Sequence, residues 1–136
     1  MVRTFPLIFA ALSLVAAACG TTTRFTPTNP APTAMVPKAP EQVHVYTTGN
    51  PQVAYVEVGI IQSRQSSRMS THDMPEIIQE MRKEAAKIGC DGVIINGEAN
   101  TTVGGHDEDG GSTGTLEGFW GACIVYGSYD TASAAR

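Results

Sequence analysis

The sequence predicts an α+β fold, in which one main helix packs on a small mixed sheet of about four strands after a disordered Thr/Pro-rich tether. Three observations predict this fold. Apolar residues alternate along several short segments, as is typical of strands. Between two of these segments, apolar residues recur at helical spacing. Residues 20–40, in contrast, contain six Thr and five Pro. A chain of 136 residues has room for one such domain, which we place at residues 42–127.

Residues 1–18 have the composition of a cleaved secretory signal. Arg3 is their only charged residue, and a largely apolar run over residues 5–18 follows it. Such a run of helical residues spans about 21 Å, which is short of the about 30 Å of hydrocarbon that a membrane-spanning helix must cross. We therefore expect this segment to be removed from the mature protein.

Ala16, Ala17 and Ala18 stand directly before Cys19, a pattern that resembles the lipobox of bacterial lipoproteins. In such signals the cysteine is acylated and becomes the first residue of the mature chain. Two or three acyl chains hold a protein stably on a bilayer, because each buried CH₂ contributes about 0.8 kcal/mol. Gly20 stands where an Asp would resemble an inner-membrane retention signal, so the resemblance implies an outer-membrane anchor that faces the periplasm. The alternative is a plain secretory signal, cleaved elsewhere, with Cys19 incidental.

Residues 19–41 are predicted to form the lipidated N-terminus and a flexible tether. Prolines favour polyproline II and remove backbone donors, so the segment is expected to be extended. An extended tether of this length reaches roughly 65 Å. The folded domain would then lie well clear of the membrane.

The domain is predicted to begin with a short strand at residues 43–46, on which His44 is a solvated side chain. A longer strand follows at residues 52–62. One face of this second strand is wholly apolar and must meet the core; it consists of Ala54, Val56, Val58 and Ile60. Residues 63–72 are predicted to form a polar loop. Its Arg64 and Arg68 are either solvated side chains or an anion site, and we favour the former.

The helix is predicted to follow Asp73, which is a good N-cap residue, with Pro75 and Glu76 in its first turn. Gly89 is suited to the left-handed residue that ends a helix. The prediction rests on this cap and on an apolar stripe at helical spacing, formed by Ile77, Ile78, Met81, Ala85 and Ile88.

Beyond the helix we expect a buried strand at residues 90–96, a long Gly-rich loop at 97–118 and a last strand at 119–126. Strand, helix and strand in this order predict a crossover connection. Both faces of the last strand are largely apolar, which suits a central position in the sheet. One of these faces consists of Trp120, Ala122, Ile124 and Tyr126. Residues 128–136 are expected to be a frayed tail.

Cys90 and Cys123 are the only possible intrachain pair once Cys19 carries lipid. In an oxidising periplasm they would form a disulfide that closes a loop of about 33 residues and stabilises the domain by about 3 to 4 kcal/mol. The alternative is two separate buried thiols that pack as small apolar side chains. Of these two arrangements, we favour the disulfide.

The segment GGHDEDGG, at residues 104–111, is a weak candidate for a metal site. Carboxylate oxygens suit hard cations such as Ca²⁺, but the spaced ligands of a known calcium loop are missing. A solvated loop is therefore the favoured interpretation, and we expect no cofactor. The weak candidate ligands are His106, Asp107, Glu108 and Asp109.

Several function classes are disfavoured by composition and motifs. A net charge of −4 without a Lys/Arg stripe argues against nucleic-acid binding and against adhesion to anionic lipid head groups. The sequence has no Ser/His/Asp arrangement, nucleophile elbow or Gly-rich phosphate loop beside the right elements, so we do not expect an enzyme.

Four segments together resemble known families: VHVYT at residues 43–47, YVEVGII at 55–61, EAAKIGCDGVIIN at 84–96 and GACIVYG at 121–127. They are similar to the small α+β domain of the Rcs envelope-stress sensor lipoproteins (RcsF) and of the YbjQ-like proteins. The first resemblance implies envelope surveillance through protein contacts. The second implies association into rings, with a suggested heavy-metal role.

The function expected from these observations is that of a lipid-anchored envelope protein on the periplasmic face of the outer membrane. It would act through contacts with another envelope protein, in stress sensing or signalling. The alternative is an oligomeric, metal-responsive YbjQ-like binding module. The membrane itself would be reached through the N-terminal lipid.

Overall fold

A computed structural model describes residues 20–67, 73–104 and 113–129 of the chain. In these residues one α-helix packs on a mixed sheet, and two short strands form a second sheet, so the predicted α+β class is confirmed. The elements, in chain order, are β1 (Thr21–Pro27), a short 3-10 helix (Pro40–Gln42), β2 (His44–Tyr46), β3 (Tyr55–Gln65), α1 (Met74–Ile88), β4 (Gly92–Glu98), β5 (Thr101–Gly104), β6 (Thr113–Leu116) and β7 (Gly118–Tyr126).

The main sheet has the strand order β1-β3-β7-β4-β2, with β7 in the centre as predicted. β7 is antiparallel to both β3 and β4, and only the short β2 pairs in parallel, with β4. β3 and β4 therefore run in the same direction on either side of β7. The connection from β3 through α1 to β4 is the predicted crossover, and it passes over one intervening strand.

The helix α1 has the predicted ends. The side chain of Asp73 accepts a hydrogen bond from the backbone N–H of Glu76, and Gly89 adopts a left-handed conformation with φ 100°. A left-handed residue of this kind satisfies the last carbonyl groups of a helix, and Gly adopts it without a Cβ clash. The apolar stripe faces the sheet, where Ile77, Met81, Ala85 and Ala86 are buried.

A bulge in β3 changes which side chains meet the core. The β3–β7 register shifts between Glu57 and Gly59, and such an extra residue moves the following side chains to the opposite face. Val58 packs in the main core as predicted, but beyond the bulge Ile61 occupies the core and Ile60 does not. The predicted apolar face is therefore correct only as far as Val58.

The prediction of a flexible tether over residues 19–41 is wrong for the part that the structure describes, which begins at residue 20. Residues 21–27 form β1, which pairs with β3 and gives the sheet five strands instead of about four. Thr is β-branched and favours strands. Thr21, Thr23 and Phe25, at every second position of β1, are partly buried and lie on the helix side of the sheet. Pro27 ends an edge strand, which is a position where proline is tolerated.

The stretch between β1 and β2 lies against the domain as a strap. The backbone N–H of Thr28 donates to the carbonyl of Val58 over 2.9 Å, and that of Lys38 donates to the carbonyl of Ala86 over 3.0 Å. Met35 packs against the main core. Prolines suit such a strap because they reduce the entropy that an irregular segment loses on folding.

The predicted Gly-rich loop at residues 97–118 is also partly wrong. Residues 97–98 end β4, and β5 pairs with β6 in a two-stranded antiparallel sheet. The Thr and Val residues of β5 and β6 favour strands, although the surrounding segment is rich in glycine. Residues 105–112 lie outside the described part of the chain. Of the predicted tail, residues 128–129 are described, and the hydroxyl of Tyr129 donates to the carbonyl of Pro30 over 2.5 Å.

Candidate functional site

The two faces of the main sheet are packed differently. On one face α1 and the sheet enclose the larger core cluster, which includes Cys90, Cys123 and Phe119. The other face, which we call the open face, carries a second cluster that is built entirely from strand residues. Its buried members are Ile94, Ala122 and Ile124, and its partly buried members are Tyr46, Tyr55 and Tyr126.

A tyrosine pair lies at one end of the open face. The hydroxyl groups of Tyr46 and Tyr126 are 2.7 Å apart and share a hydrogen bond. The ring of His44, which is exposed as predicted, lies with its centroid 6.4 Å from each of the two tyrosine rings. This end of the face therefore combines aromatic surface with hydrogen-bonding groups.

The carboxylate of Asp91 links the backbone of Tyr126 to the strap. It accepts a hydrogen bond from the backbone N–H of Tyr126 over 2.9 Å and forms an ion pair with Lys38 of the strap. Burial, and then the hydrogen bond with Tyr46, raise the pKa of Tyr126 above its ordinary value of 10.0. The phenol is therefore protonated at neutral pH and can both donate and accept a hydrogen bond.

A cleft of about 300 Å³ lies at the opposite end of the open face, and we call it the arginine cleft. Tyr126 pairs with Tyr55 at the start of β3, about 30 Å from Arg64, because a strand rises about 3.3 Å per residue. Tyr46 pairs with Ile94 and is in register with Ile60, which is nearer the cleft. Most residues that line this cleft have a hydroxyl, amide or guanidinium group in their side chain; the lining consists of Thr22, Arg24, Gln62, Ser63, Arg64, Ala99 and Thr101.

The register of β1 on β3 brings the two arginines together. Arg24 lies opposite Gln62, and Arg64 lies opposite Thr22. Residues in this diagonal relation on one face of an antiparallel pair have backbones about 7–8 Å apart, so long side chains reach a common point. Both arginines are exposed. Among the residues that the structure describes, neither guanidinium group has a hydrogen-bond or ion-pair partner.

Gly118 shapes the wall of the arginine cleft. A Cβ atom at this position would lie 2.8 Å from the Cβ of Arg64 and 2.8 Å from the carbonyl oxygen of Ala99. Both distances are too short for a real side chain. Gly118 therefore allows β7 to pass close beneath Arg64 and Ala99.

The predicted disulfide is present between Cys90, which follows the helix, and Cys123 in β7. The two Cα atoms are 5.7 Å apart, and both residues are fully buried on the helix side of the sheet. The bond ties the end of α1 to the central strand. It is remote from the open face and acts as a structural link.

Other predicted site residues lie outside the described part of the chain. These are the lipidation residue Cys19, the loop residue Arg68 and the weak metal candidates His106, Asp107, Glu108 and Asp109. Within residues 20–67, 73–104 and 113–129, no group of three or more His, Cys, Asp or Glu side chains is placed to hold a metal ion. No helix of the described residues is long and apolar enough to cross a membrane.

Comparisons with known proteins identify no family. No protein-family model matches the chain, and no curated protein matches it. The crystal structure of the Francisella virulence factor FvfA, in its orthorhombic form, is similar to this chain with a TM-score of 0.44 and 16% sequence identity. The similarity covers 75% of this chain and 96% of that chain. A likeness at this level supports no statement about the family or function of the chain.

Sequence reasoning missed one half of the arginine cleft. Arg64 is a candidate anion ligand in the sequence, but Arg24 falls within the predicted tether. The alternation of Thr21, Thr23 and Phe25 is the signal that places Arg24 on the opposite face of a strand. The pairing of Arg24 with Arg64 depends on the register of β1 on β3, for which the sequence contains no local signal.

Proposed function

We propose that the chain is a lipid-anchored envelope protein, attached through Cys19 to the outer membrane and facing the periplasm. The lipobox-like sequence before Cys19 supports the anchor. The Cys90–Cys123 disulfide supports an oxidising compartment, because disulfides persist in the periplasm and are rare in the cytosol. The resemblance to Rcs envelope-stress lipoproteins and YbjQ-like proteins stays a prediction.

The protein acts through contacts with another envelope protein at the tyrosine end of the open face. The observation that carries this proposal is the cluster of partly buried tyrosines on the sheet face that α1 leaves uncovered. Tyrosine is enriched at protein interfaces because it combines a large apolar surface with a hydrogen-bonding hydroxyl. An exposed His44 beside Tyr46 and Tyr126 adds a further polar group for a partner.

The position of the anchor favours a partner at this end. Only one residue separates Cys19 from the start of β1, and β1 begins beside the end of β3. Tyr126 of the tyrosine pair lies at the other end of β3, where it pairs with Tyr55, about 30 Å along the strand from Arg64. With acylated Cys19 at the bilayer, the tyrosines point away from the membrane, where another envelope protein can reach them.

Site-specific photocrosslinking in intact envelopes tests the contact surface. A photoreactive residue replaces His44 on the open face, and the matched control replaces Lys87, which is exposed on α1. We expect a crosslinked product with a distinct envelope protein from position 44 and none from position 87. A product of two copies of this chain would instead support the oligomeric, YbjQ-like alternative. Equal products from both positions, or none, would contradict the proposed contact surface.

A further inference from the structure

The start of β1 is fixed to the end of β3. The carbonyl of Gly20 accepts hydrogen bonds from the backbone N–H of Ser66 over 2.9 Å and from its hydroxyl over 2.7 Å. The backbone N–H of Gly20 donates to the same hydroxyl over 3.2 Å. The residue directly after Cys19 is therefore part of the folded domain, and it leaves no spacer between the domain and the proposed anchor.

The arginine cleft lies at this end of the sheet. Thr22, which lines the cleft, is three residues from Cys19, a distance that an extended chain covers in about 10 Å. Arg64 lies directly opposite Thr22 in the sheet. If Cys19 is acylated, as the proposed function requires, the cleft therefore lies at the level of the lipid head groups.

The groups in the cleft are those that bind phosphate. A guanidinium group presents a planar set of donors that matches two phosphate oxygens. Two such groups in diagonal positions can donate hydrogen bonds to one phosphate from both sides. The hydroxyl of Thr22 and the amide of Gln62 add neutral donors beside Arg24 and Arg64. A net charge of −4 disfavours general adhesion to an anionic surface, so attraction depends on this local site.

We propose that the arginine cleft binds the phosphate group of a membrane lipid head group beside the protein's own anchor. This inference rests on the proposed function for its lipid source, whereas the phosphate chemistry rests on the cleft alone. Binding at a second point holds the domain in one orientation on the bilayer. The tyrosine end of the open face is then directed into the periplasm.

The test uses the mature chain with Cys19→Ser, so that acyl chains do not mask the contribution of the cleft. Co-sedimentation measures its binding to phosphatidylglycerol vesicles, and a parallel titration measures its binding of inorganic phosphate. The double variant Arg24→Gln/Arg64→Gln removes the proposed ligands. The matched control Lys83→Gln/Lys87→Gln removes the same charge from exposed positions on α1. Circular dichroism of each variant checks that it is folded.

We expect the arginine variant to bind the vesicles at least about tenfold more weakly than the parent chain, because each charge-assisted hydrogen bond contributes strongly to affinity. The lysine control should bind as the parent does. Binding of inorganic phosphate without vesicle binding would identify a soluble phosphate compound as the source. Equal vesicle and phosphate binding by both double variants would overturn the proposal.

These outcomes are separate from those of the proposed function. The vesicle test needs no acylated cysteine, so a functional cleft would be detected even in a protein without a lipid anchor. Conversely, acylation of Cys19 together with unchanged binding by the arginine variant would leave the anchor intact and refute only the phosphate site.

Discussion

Gly59 in β3 leaves room for the ring of Phe25, which comes from the neighbouring strand β1. A Cβ atom here would lie 2.3 Å from the ring of Phe25 and 2.7 Å from the carbonyl oxygen of Thr26. Phe25 packs against the main core through this gap. The absence of a side chain at Gly59 therefore lets the first strand of the domain close onto the sheet.

A Gly59→Ala substitution is expected to lower the free energy of unfolding by about 1–3 kcal/mol, because an inserted methyl group forces Phe25 and the β1 backbone to shift. Urea denaturation measures the change. Gly104→Ala is the control, since the nearest described atom to its Cβ would be a methyl group of Thr113 at 4.0 Å. Equal stability of the two variants would contradict the close packing of β1 on Gly59.

The tyrosine pair predicts a loss of stability at high pH. The raised pKa of Tyr126 means that the folded state keeps a proton that the unfolded state releases near pH 10. The unfolded state then binds fewer protons, so the free energy of unfolding is unaffected below this pH and falls as the pH rises above it. Urea midpoints between pH about 8 and about 11 measure the effect.

Tyr126→Phe should remove that part of the pH dependence, because the titrating hydroxyl is gone. Tyr55→Phe is the matched control, since it changes another tyrosine of the same cluster and keeps the hydrogen bond between Tyr46 and Tyr126. A pH dependence that is the same in Tyr126→Phe and in the parent protein would exclude Tyr126 as its source.

At the scale of secondary structure, the strap that follows β1 is held against the domain by backbone hydrogen bonds. Thr28 and Lys38 each donate a backbone hydrogen bond to the domain, whereas Thr33 and Ala34 are exposed. We expect the amides of Thr28 and Lys38 to exchange with solvent deuterium much more slowly than those of Thr33 and Ala34, because a bonded amide exchanges only when the structure opens. NMR-detected exchange measures this. A free tether would show fast exchange at all four amides.

The elements with local signals could be predicted from sequence. The cap at Asp73, the left-handed Gly89 and the alternation along β7 identify α1 and the central strand correctly. The bulge beside Val58 could not be predicted, because it is set by the pairing of β3 with β7. Alternation alone assigns Ile60 and not Ile61 to the core, and the structure reverses this assignment.

The strand β1 was not predicted, because it lies in a segment whose Thr- and Pro-rich composition suggests a tether. The prolines of residues 27–40 suggest a spacer, but they follow a run of alternating Thr and Phe that has strand propensity of its own. The candidate site depends on this strand, since Arg24 meets Arg64 only through the β1–β3 register. Arg24 and Arg64 are forty residues apart in the sequence, and no local pattern indicates that they lie close together.

At the scale of the whole molecule, the open face has two chemically different ends. The arginine cleft lies beside the start of β1, and Tyr126 of the tyrosine pair lies at the opposite end of β3. A lipid at Cys19 would place these ends at two heights above the bilayer. The cleft then meets head groups and the tyrosines meet proteins, so the placement of both contacts depends on the anchor at Cys19.

The intact mass of the protein extracted from membranes, with alkylation before and after reduction, tests whether Cys19 carries the anchor. We predict a mass equal to residues 19–136 with acylated Cys19, and alkylation of Cys90 and Cys123 only after reduction. An unacylated chain cleaved at another position would contradict the anchor. It would also remove the basis for placing the arginine cleft at the membrane surface.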